Sequence, residues 1–302
     1  MVLVMAGLVP AIHEFRGQKD VDARDQRGHD EVVRSRLKTK ATMKIATWNI
    51  NGVKARIDTA KTWLASASPD IACFQEIKCV DEAFPKTEFE DLGYNVAVHG
   101  QKGFNGVALL SKLPFDEVTP RLAGDSDDVQ ARYLEAVVSV PSGVLRVVNI
   151  YLPNGNPAGT EKFAYKLAWM TRLKTRIASL LANEEPMVVA GDFNVIPTPD
   201  DVYNPAAWVD DALFRPETRA HFQALLNIGL TDAFRACHDE KQRYTFWDYQ
   251  AGAWQKNQGL RIDHLLLSPQ AADRLVSCEI DPIPRGWEKP SDHVPVIVKL
   301  DL

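Results

Sequence analysis

The chain has 302 residues, 45% hydrophobic and 25% charged, which suits one large α/β domain or two small ones in a soluble globular protein. No apolar run reaches the ~18 residues of a membrane span, and the four cysteines include no Cys-x-x-Cys pair, which argues against a structural zinc site. The formal net charge of −5 argues against a protein held to nucleic acid by overall positive charge, yet leaves room for a local basic rim round an acidic pocket.

Residues 1–42 differ from everything that follows. They carry 8 basic and 6 acidic residues and few large apolar ones, which leaves 27 basic and 34 acidic residues, a balance of −7, to the rest. This stretch is expected to be a disordered tail, or to precede a true start at Met43. The opening, Met1 to Ile12, lacks a basic leader and is broken by Gly7 and Pro10, so it does not read as a signal peptide. Residues 43–302 read as a single domain. Reduced thiols, with Cys73 a core residue, fit a cytoplasmic protein.

From Met43 strands and helices alternate. Residues 44–50 read as a strand ending in the turn signal Asn51-Gly52. A helix over about 54–66 places Ile57, Ala60 and Leu64 at helical spacing. Residues 71–77 form the next strand, followed by strands at 106–111, 133–140 and 145–152. A long helix over about 160–182 buries Phe163, Leu167, Met170, Leu173, Ile177 and Leu181. The run Pro186 to Ala190 is a short buried strand, and Gly191 is expected to turn the chain. Asp192 and Asn194 are then expected on one face of an extended segment. A helix opened by Pro216 turns Phe222, Leu225 and Leu226 inward and stops at Gly229. Residues 244–247, 261–267 and 294–300 are the last strands. Several strands connect as hairpins, which predicts two sheets packed face to face with helices outside.

Several strand ends carry polar residues unsuited to a plain core. Asn49 and Asn51 flank Ile50, and Glu76 falls in an apolar strand, where an unpaired carboxylate would cost several kcal/mol. Tyr151 and Asn154 end another strand, Asp192 and Asn194 a third. Asp263-His264 follows Arg261-Ile262, and Ser291-Asp-His293 precedes Val294. Each has a plainer reading: Asp192-Phe-Asn194 as an Asx-turn, Asn51-Gly52 as a turn, Glu76 as a surface partner of Lys78. His264, followed by an apolar run, reads as structural. Together they form a set of acid and amide groups at strand termini, as sheet-based active sites do.

The segments Thr47-Trp-Asn-Ile-Asn-Gly52, Gln75-Glu-Ile-Lys78, Asn149-Ile-Tyr-Leu-Pro-Asn154, Gly191-Asp-Phe-Asn194, Gly259-Leu-Arg-Ile-Asp263 and Lys289-Pro-Ser-Asp-His293 occur in the order found in exonuclease III. Over about 43–302 the chain resembles the exodeoxyribonuclease III and class II abasic-site endonuclease family. That resemblance implies a four-layered α/β-sandwich of two mixed sheets. It also implies a Mg²⁺-dependent phosphodiesterase, with Mn²⁺ a possible substitute. The implied activities are 3′-to-5′ exonuclease action on duplex DNA, incision 5′ of abasic sites and trimming of blocked 3′ ends. The implied enzyme is monomeric and touches no membrane.

Glu76 is the natural hard ligand for Mg²⁺, which keeps several waters, with Asn51 contributing through its amide or a water. The resemblance implies that Asp192 orients or deprotonates the attacking water, or serves the leaving group. It gives Asn49 and Asn194 to the water and the phosphate, His293 to a phosphoryl oxygen with Asp263 charging its ring, and Tyr151 to the phosphate or leaving oxygen. Asp292 would serve a second metal position or orient its neighbours, and Asn154 would contact the phosphate. Asn49, Asp192, Asn194 and His293 are counted with Asn51, Glu76 and Asp292 as residues around the metal. Lys54, Arg56, Lys78, Lys102 and Arg261 lie where they can meet backbone phosphates or simply be solvated. Phe246, Trp247 and Trp287 either wall a pocket for a base-less sugar or fill the core. The competing functions are a phosphatase or phospholipase of the same superfamily, and a DNA-binding relative without activity.

Overall fold

The strand pattern of a two-sheet sandwich follows from side chains that alternate between two apolar layers. The computed structural model describes residues 42–302; the expectations placed on residues 1–41 lie outside them. In chain order the elements are β1 (Thr42–Asn49), α1 (Ile57–Ala67), β2 (Ile71–Gln75), α2 (Lys86–Glu90), β3 (Asn95–His99), β4 (Val107–Ser111), β5 (Glu117–Pro120), β6 (Tyr133–Val140), β7 (Gly143–Tyr151), α3 (Glu161–Leu181), β8 (Met187–Asp192), α4 (Pro216–Asn227), β9 (Thr231–Asp232), α5 (Ala233–Cys237), β10 (Asp263–Leu267), α6 (Pro269–Ala272), β11 (Leu275–Ile280) and β12 (Val296–Asp301). Met43 lies inside β1 and packs into the core rather than standing ahead of the first strand.

One six-stranded sheet runs β11-β12-β1-β2-β4-β3, the other β5-β6-β7-β8-β10-β9. Each has one parallel pair near its centre, β1 with β2 and β7 with β8. Between the sheets, Met43, Ile45, Ile71, Cys73, Val147, Val188, Ala190, Leu265 and Val296 share one apolar layer. The alternate residues face helices: Ala46, Trp48, Ala72 and Phe74 meet Ala60, Trp63 and Leu64 of α1. Val148, Ile150, Met187 and Val189 meet Trp169, Met170, Leu173 and Ile177 of α3 and Phe222 and Leu225 of α4. Each fully buried aliphatic side chain here contributes about 1.5–3 kcal/mol. Helix, sheet, sheet and helix therefore make four layers, as expected.

Residues 244–247 form only isolated bridges, Phe246 with Leu260 and with His293, instead of a full strand. The strand expected to reach Ile77 ends at Gln75, so Glu76 lies just beyond it. Gly191 does not turn the chain. It sits within β8, at a position that only glycine fits, because a Cβ there would fall 2.0 Å from Ile150 O on the neighbouring strand. No helix among the described residues is long and apolar enough to cross a membrane.

Candidate active site

The site grows out of the inward-facing register of the strands. In β1 the positions 43, 45, 47 and 49 point between the sheets, and the last of them is Asn49. In β8 the positions 188, 190 and 192 do the same, ending in Asp192. Strand pairing sets Tyr151 opposite Asp192 and Asp263 opposite Asp192, so the three form one rung of the second sheet. Across the gap, Asn49 pairs with Gln75 in the first sheet. Apolar inward positions give way to polar ones at the same end of both sheets, and the sandwich opens there into chemistry.

Asn49 joins the two sheets. Its Nδ2 donates to Glu76 Oε1 at 2.9 Å and to Asp192 Oδ2 at 3.0 Å. Tyr151 donates its hydroxyl to the same Glu76 oxygen at 2.8 Å. Lys78 Nζ lies 2.9 Å from Glu76 Oε2 and also bonds Asn51 Oδ1. Asn51 Nδ2 donates to Asp292 Oδ1 at 2.9 Å, which draws the 289–293 loop to the site. Ser291 Oγ donates to Asn49 O at 2.7 Å and accepts from His293 N, fixing that loop against β1.

Asp263 Oδ2 lies 2.9 Å from His293 Nδ1, and His293 Nε2 stands 3.8 Å from Asp192 Oδ2. Asp263 Oδ1 is buried without a hydrogen-bond partner. Among the described residues, Asp192, Asp263 and His293 form the one cluster of acids and histidine close enough to share a metal ion. Burial works against a charged His293 ring, but Asp263 and Asp192 override it and push its pKa up to about 10. The two carboxylates thus favour the protonated ring, which would place a cation inside this cluster. Burial pushes Asp192 up to about 7, the His293 charge opposing and Asp263 adding to the rise. Burial alone would raise Glu76, yet the Asn49 amide and the Lys78 ammonium hold it below the usual carboxylate value. Burial, then Glu76 and Asp192, keep the Tyr151 hydroxyl protonated well past its ordinary range.

Asn51, Glu76 and Asn194 sit in left-handed backbone at φ 48, 51 and 48, a conformation that costs about 1–3 kcal/mol for a non-glycine residue. Asn194 therefore leaves the extended path expected for it. Its N–H closes an Asx-turn on Asp192 Oδ1 at 2.9 Å, and its Nδ2 donates to Leu152 O at 2.8 Å. Asn154 Nδ2 donates to Asn194 Oδ1 at 3.1 Å. The structural and functional readings of Asp192-Phe-Asn194 thus coexist in one turn.

Two substrate-side residues, Arg261 and Trp247, lie in the interior. Arg261 is buried, not free to meet a phosphate: its Nε donates to Asp201 Oδ1 at 2.7 Å and its Nη1 to Asp232 Oδ2 at 2.8 Å. Arg261 also donates to His264 Nδ1 at 3.0 Å, leaving Nε2–H for Val195 O, so His264 is the structural residue expected. Trp247 is a core residue whose indole N–H reaches Asn257 Oδ1 at 3.1 Å. Phe246, only partly buried, sets its ring 4.9 Å from that of His293. Trp287 packs on the α1 layer and lines, with Arg56, Thr59 and Lys289, a concavity of about 470 Å³.

Sequence reasoning missed four supports. Gln75 and Asn149 bond each other across the sheets at 2.8 Å beneath the site. Thr245 Oγ1 accepts the N–H groups of Ile262 and Asp263 at 3.1 Å each. Lys166 of α3 is fully buried, and burial pulls it down to about 7 against the attraction of Asp192 and Asp211.

Residues 46–293 match the model of the Endonuclease/Exonuclease/phosphatase family. Exodeoxyribonuclease III of Haemophilus influenzae is 36% identical over 262 residues, 84% of this chain and 98% of that one. The DNA repair nuclease APEX1 of Danio rerio is 33% identical over 267 residues, 86% of this chain and 83% of that one. Among solved structures, the 3′ phosphatase NExo from Neisseria bound to a product DNA hairpin is 36% identical with a TM-score of 0.83, over 86% of this chain and 100% of that one. Because the matched span contains every residue of the rung, the amide bridge and the Asp263–His293 pair, the chain belongs to the endonuclease/exonuclease/phosphatase family.

Proposed function

We propose that this protein is a Mg²⁺-dependent DNA repair nuclease. It incises duplex DNA 5′ of abasic sites and removes nucleotides or blocking groups from 3′ ends, as a cytoplasmic monomer with residues 43–302 as its catalytic domain. The observation that carries the reading is the Asn49 bridge, which binds Glu76 with one hydrogen bond and Asp192 with the other, beside the Asp263–His293 pair. The names of the relatives, an exodeoxyribonuclease, a DNA repair nuclease and a 3′ phosphatase bound to product DNA, support it.

The donor set fits a hard divalent cation. Glu76 Oε2 and Asn51 Oδ1 already share one cation, the Lys78 ammonium, and Asp292 approaches Asn51 from the other side. Glu76, Asn51 and Asp292 would hold Mg²⁺ or Mn²⁺ through such oxygens and waters, with Asn49, Asp192, Asn194 and His293 around it. When bound, the ion supplies neutralisation of charge on a phosphoryl oxygen and on the leaving oxygen.

The residues supply the rest. Each Asp192 oxygen takes one fixed donor, Asn194 N–H or Asn49 Nδ2, and keeps a lone pair for a water. A carboxylate with a pKa near 7 is basic enough to take that water's proton as it attacks phosphorus. The His293 imidazolium donates from Nε2 to a phosphoryl oxygen as negative charge gathers there, held by Asp263. Tyr151, kept neutral, donates to the phosphate or the leaving oxygen, and Asn154 and Asn194 present amides to the phosphate. Phe246, its ring 4.9 Å from that of His293, would wall a base-less sugar.

The test is incubation with an abasic duplex in Mg²⁺ and in chelator, with a phosphoinositide control. Metal-dependent incision of the duplex is the expected result. Release of phosphate from the inositide without DNA cleavage would replace this reading by the phosphatase one. DNA binding without cleavage would make the protein an inactive relative.

A further inference from the structure

Lys166 is a charged residue on the buried face of α3, 0% exposed, between Phe163 and Met170. A lysine is almost never fully buried unless paired, because desolvating its ammonium costs several kcal/mol. Among the described residues Lys166 makes no salt bridge. Its Nζ instead donates to two main-chain carbonyls, Asn154 O at 2.9 Å and Asn194 O at 2.6 Å. These are the two residues whose amides bond each other at 3.1 Å, and which the nuclease reading sets against the phosphate. One of them, Asn194, is held in left-handed backbone, which persists only where surrounding contacts over-determine it. The loop is also shaped round the lysine stem: a Cβ on Gly155 would lie 2.6 Å from Lys166 Cδ.

We infer that Lys166 is a positioning residue for phosphodiester cleavage, acting through the main chain of Asn154 and Asn194 to fix their amides against the phosphate. An apolar residue would fill the same volume on α3 but could tie neither carbonyl. The inference rests on the nuclease reading above.

The experiment is a double-mutant cycle on kcat and KM for cleavage of an abasic duplex in Mg²⁺, checked by single-turnover rates, with thermal melts of each protein. The variants are Lys166→Met, Asn194→Ala and the pair together. Lys166→Met should lower kcat about 10–100-fold, the scale of a misplacement near 1 Å, with KM within about twofold. The double variant should lose less than the two single losses combined, because part of the Lys166 effect runs through Asn194 and the rest through Asn154. If Lys166→Met fails to fold, Lys166→Gln, whose shorter amide cannot span both carbonyls, enters the same cycle with a smaller loss expected. Additive losses, or a lower melting temperature with unchanged kcat, would overturn the inference and leave the nuclease reading standing. A wild-type protein that does not cleave the duplex would overturn both.

Discussion

Asn49 reaches across the gap between the two sheets to Asp192, its amide nitrogen 3.0 Å from Oδ2. That donor favours the ionised carboxylate, against burial and the neighbouring Asp263 charge. Asn49→Ala removes it, so the Asp192 pKa should rise further above about 7. The acid limb of the pH–rate profile should then move to higher pH, with a loss on the order of 10²-fold in single-turnover rate at neutral pH. A limb that stays in place would mean that Asn49 does not tune Asp192.

Glu76 carries the metal prediction. Glu76→Gln keeps the hydrogen-bond acceptor for Tyr151 and Asn49 but removes the charge. Turnover should fall by roughly 10²–10³-fold, and half-maximal activity should need much more Mg²⁺, with at most a modest loss of melting temperature, since Gln keeps both hydrogen bonds and Lys78 keeps Asn51. An unchanged Mg²⁺ titration would remove Glu76 from the metal.

Much of this site is legible because strand alternation is strict. Once Met43, Ile45 and Val188, Ala190 are read as inward, Asn49 and Asp192 must point the same way, and polar residues there need a reason. Arg261 was misread because its partners lie 60 and 29 residues upstream, and a cation beside a motif defaults to solvent. Phe246 and Trp247 are neighbours, so period 2 sends one in and one out without saying which. Lys166 falls three residues after Phe163 and four before Met170, on the buried stripe of α3, but its charge hid it. The edge strands β3 and β5 lack a continuous apolar run, and their pairing with β4 and β6 defines them.

The two aromatics separate cleanly by experiment. Trp247→Ala should destabilise the fold by about 3–5 kcal/mol, as large core truncations do. Phe246→Ala should cost far less stability and act on cleavage of abasic duplex, since its ring faces His293. Urea unfolding beside kcat/KM distinguishes them. Equal stability losses with no change in rate for Phe246→Ala would return both rings to the core.

The Arg261 cluster predicts how stability depends on pH. His264 is held neutral: burial, then the Arg261 charge, lower its pKa to about 4, while the unfolded chain protonates near 6.5. The unfolded state thus binds more protons between those values. The contribution is fully present above about pH 6.5 and is lost as pH falls toward about 4, on the order of 3 kcal/mol in total. Asp201, brought down to about 2 as Arg261 outweighs burial, acts only below that window. Urea midpoints for wild type and His264→Gln across pH 4–7 should converge at the acid end. Parallel curves would exclude His264 as the source.

Asp263 and His293 carry the final prediction. The carboxylate at 2.9 Å, with Asp192 behind the ring, keeps the imidazole charged up to about pH 10 despite its burial. Asp263→Asn replaces the main favourable charge with a neutral amide and lets Nδ1 become an acceptor, so the ring loses both its proton and its fixed tautomer. The His293 pKa should fall, and the alkaline limb of the pH–rate profile should move from about 10 toward neutrality. The rate at pH 8 should drop about 10²-fold or more, comparable to removing other groups that stabilise transition-state charge. DNA affinity should change far less, since backbone contacts elsewhere supply most of it. Single-turnover rate against pH and DNA affinity must therefore be measured on the same protein. A wild-type rate, an unmoved alkaline limb, or an affinity loss as large as the rate loss would each defeat the dyad, leaving Asp263 as no more than the end of β10.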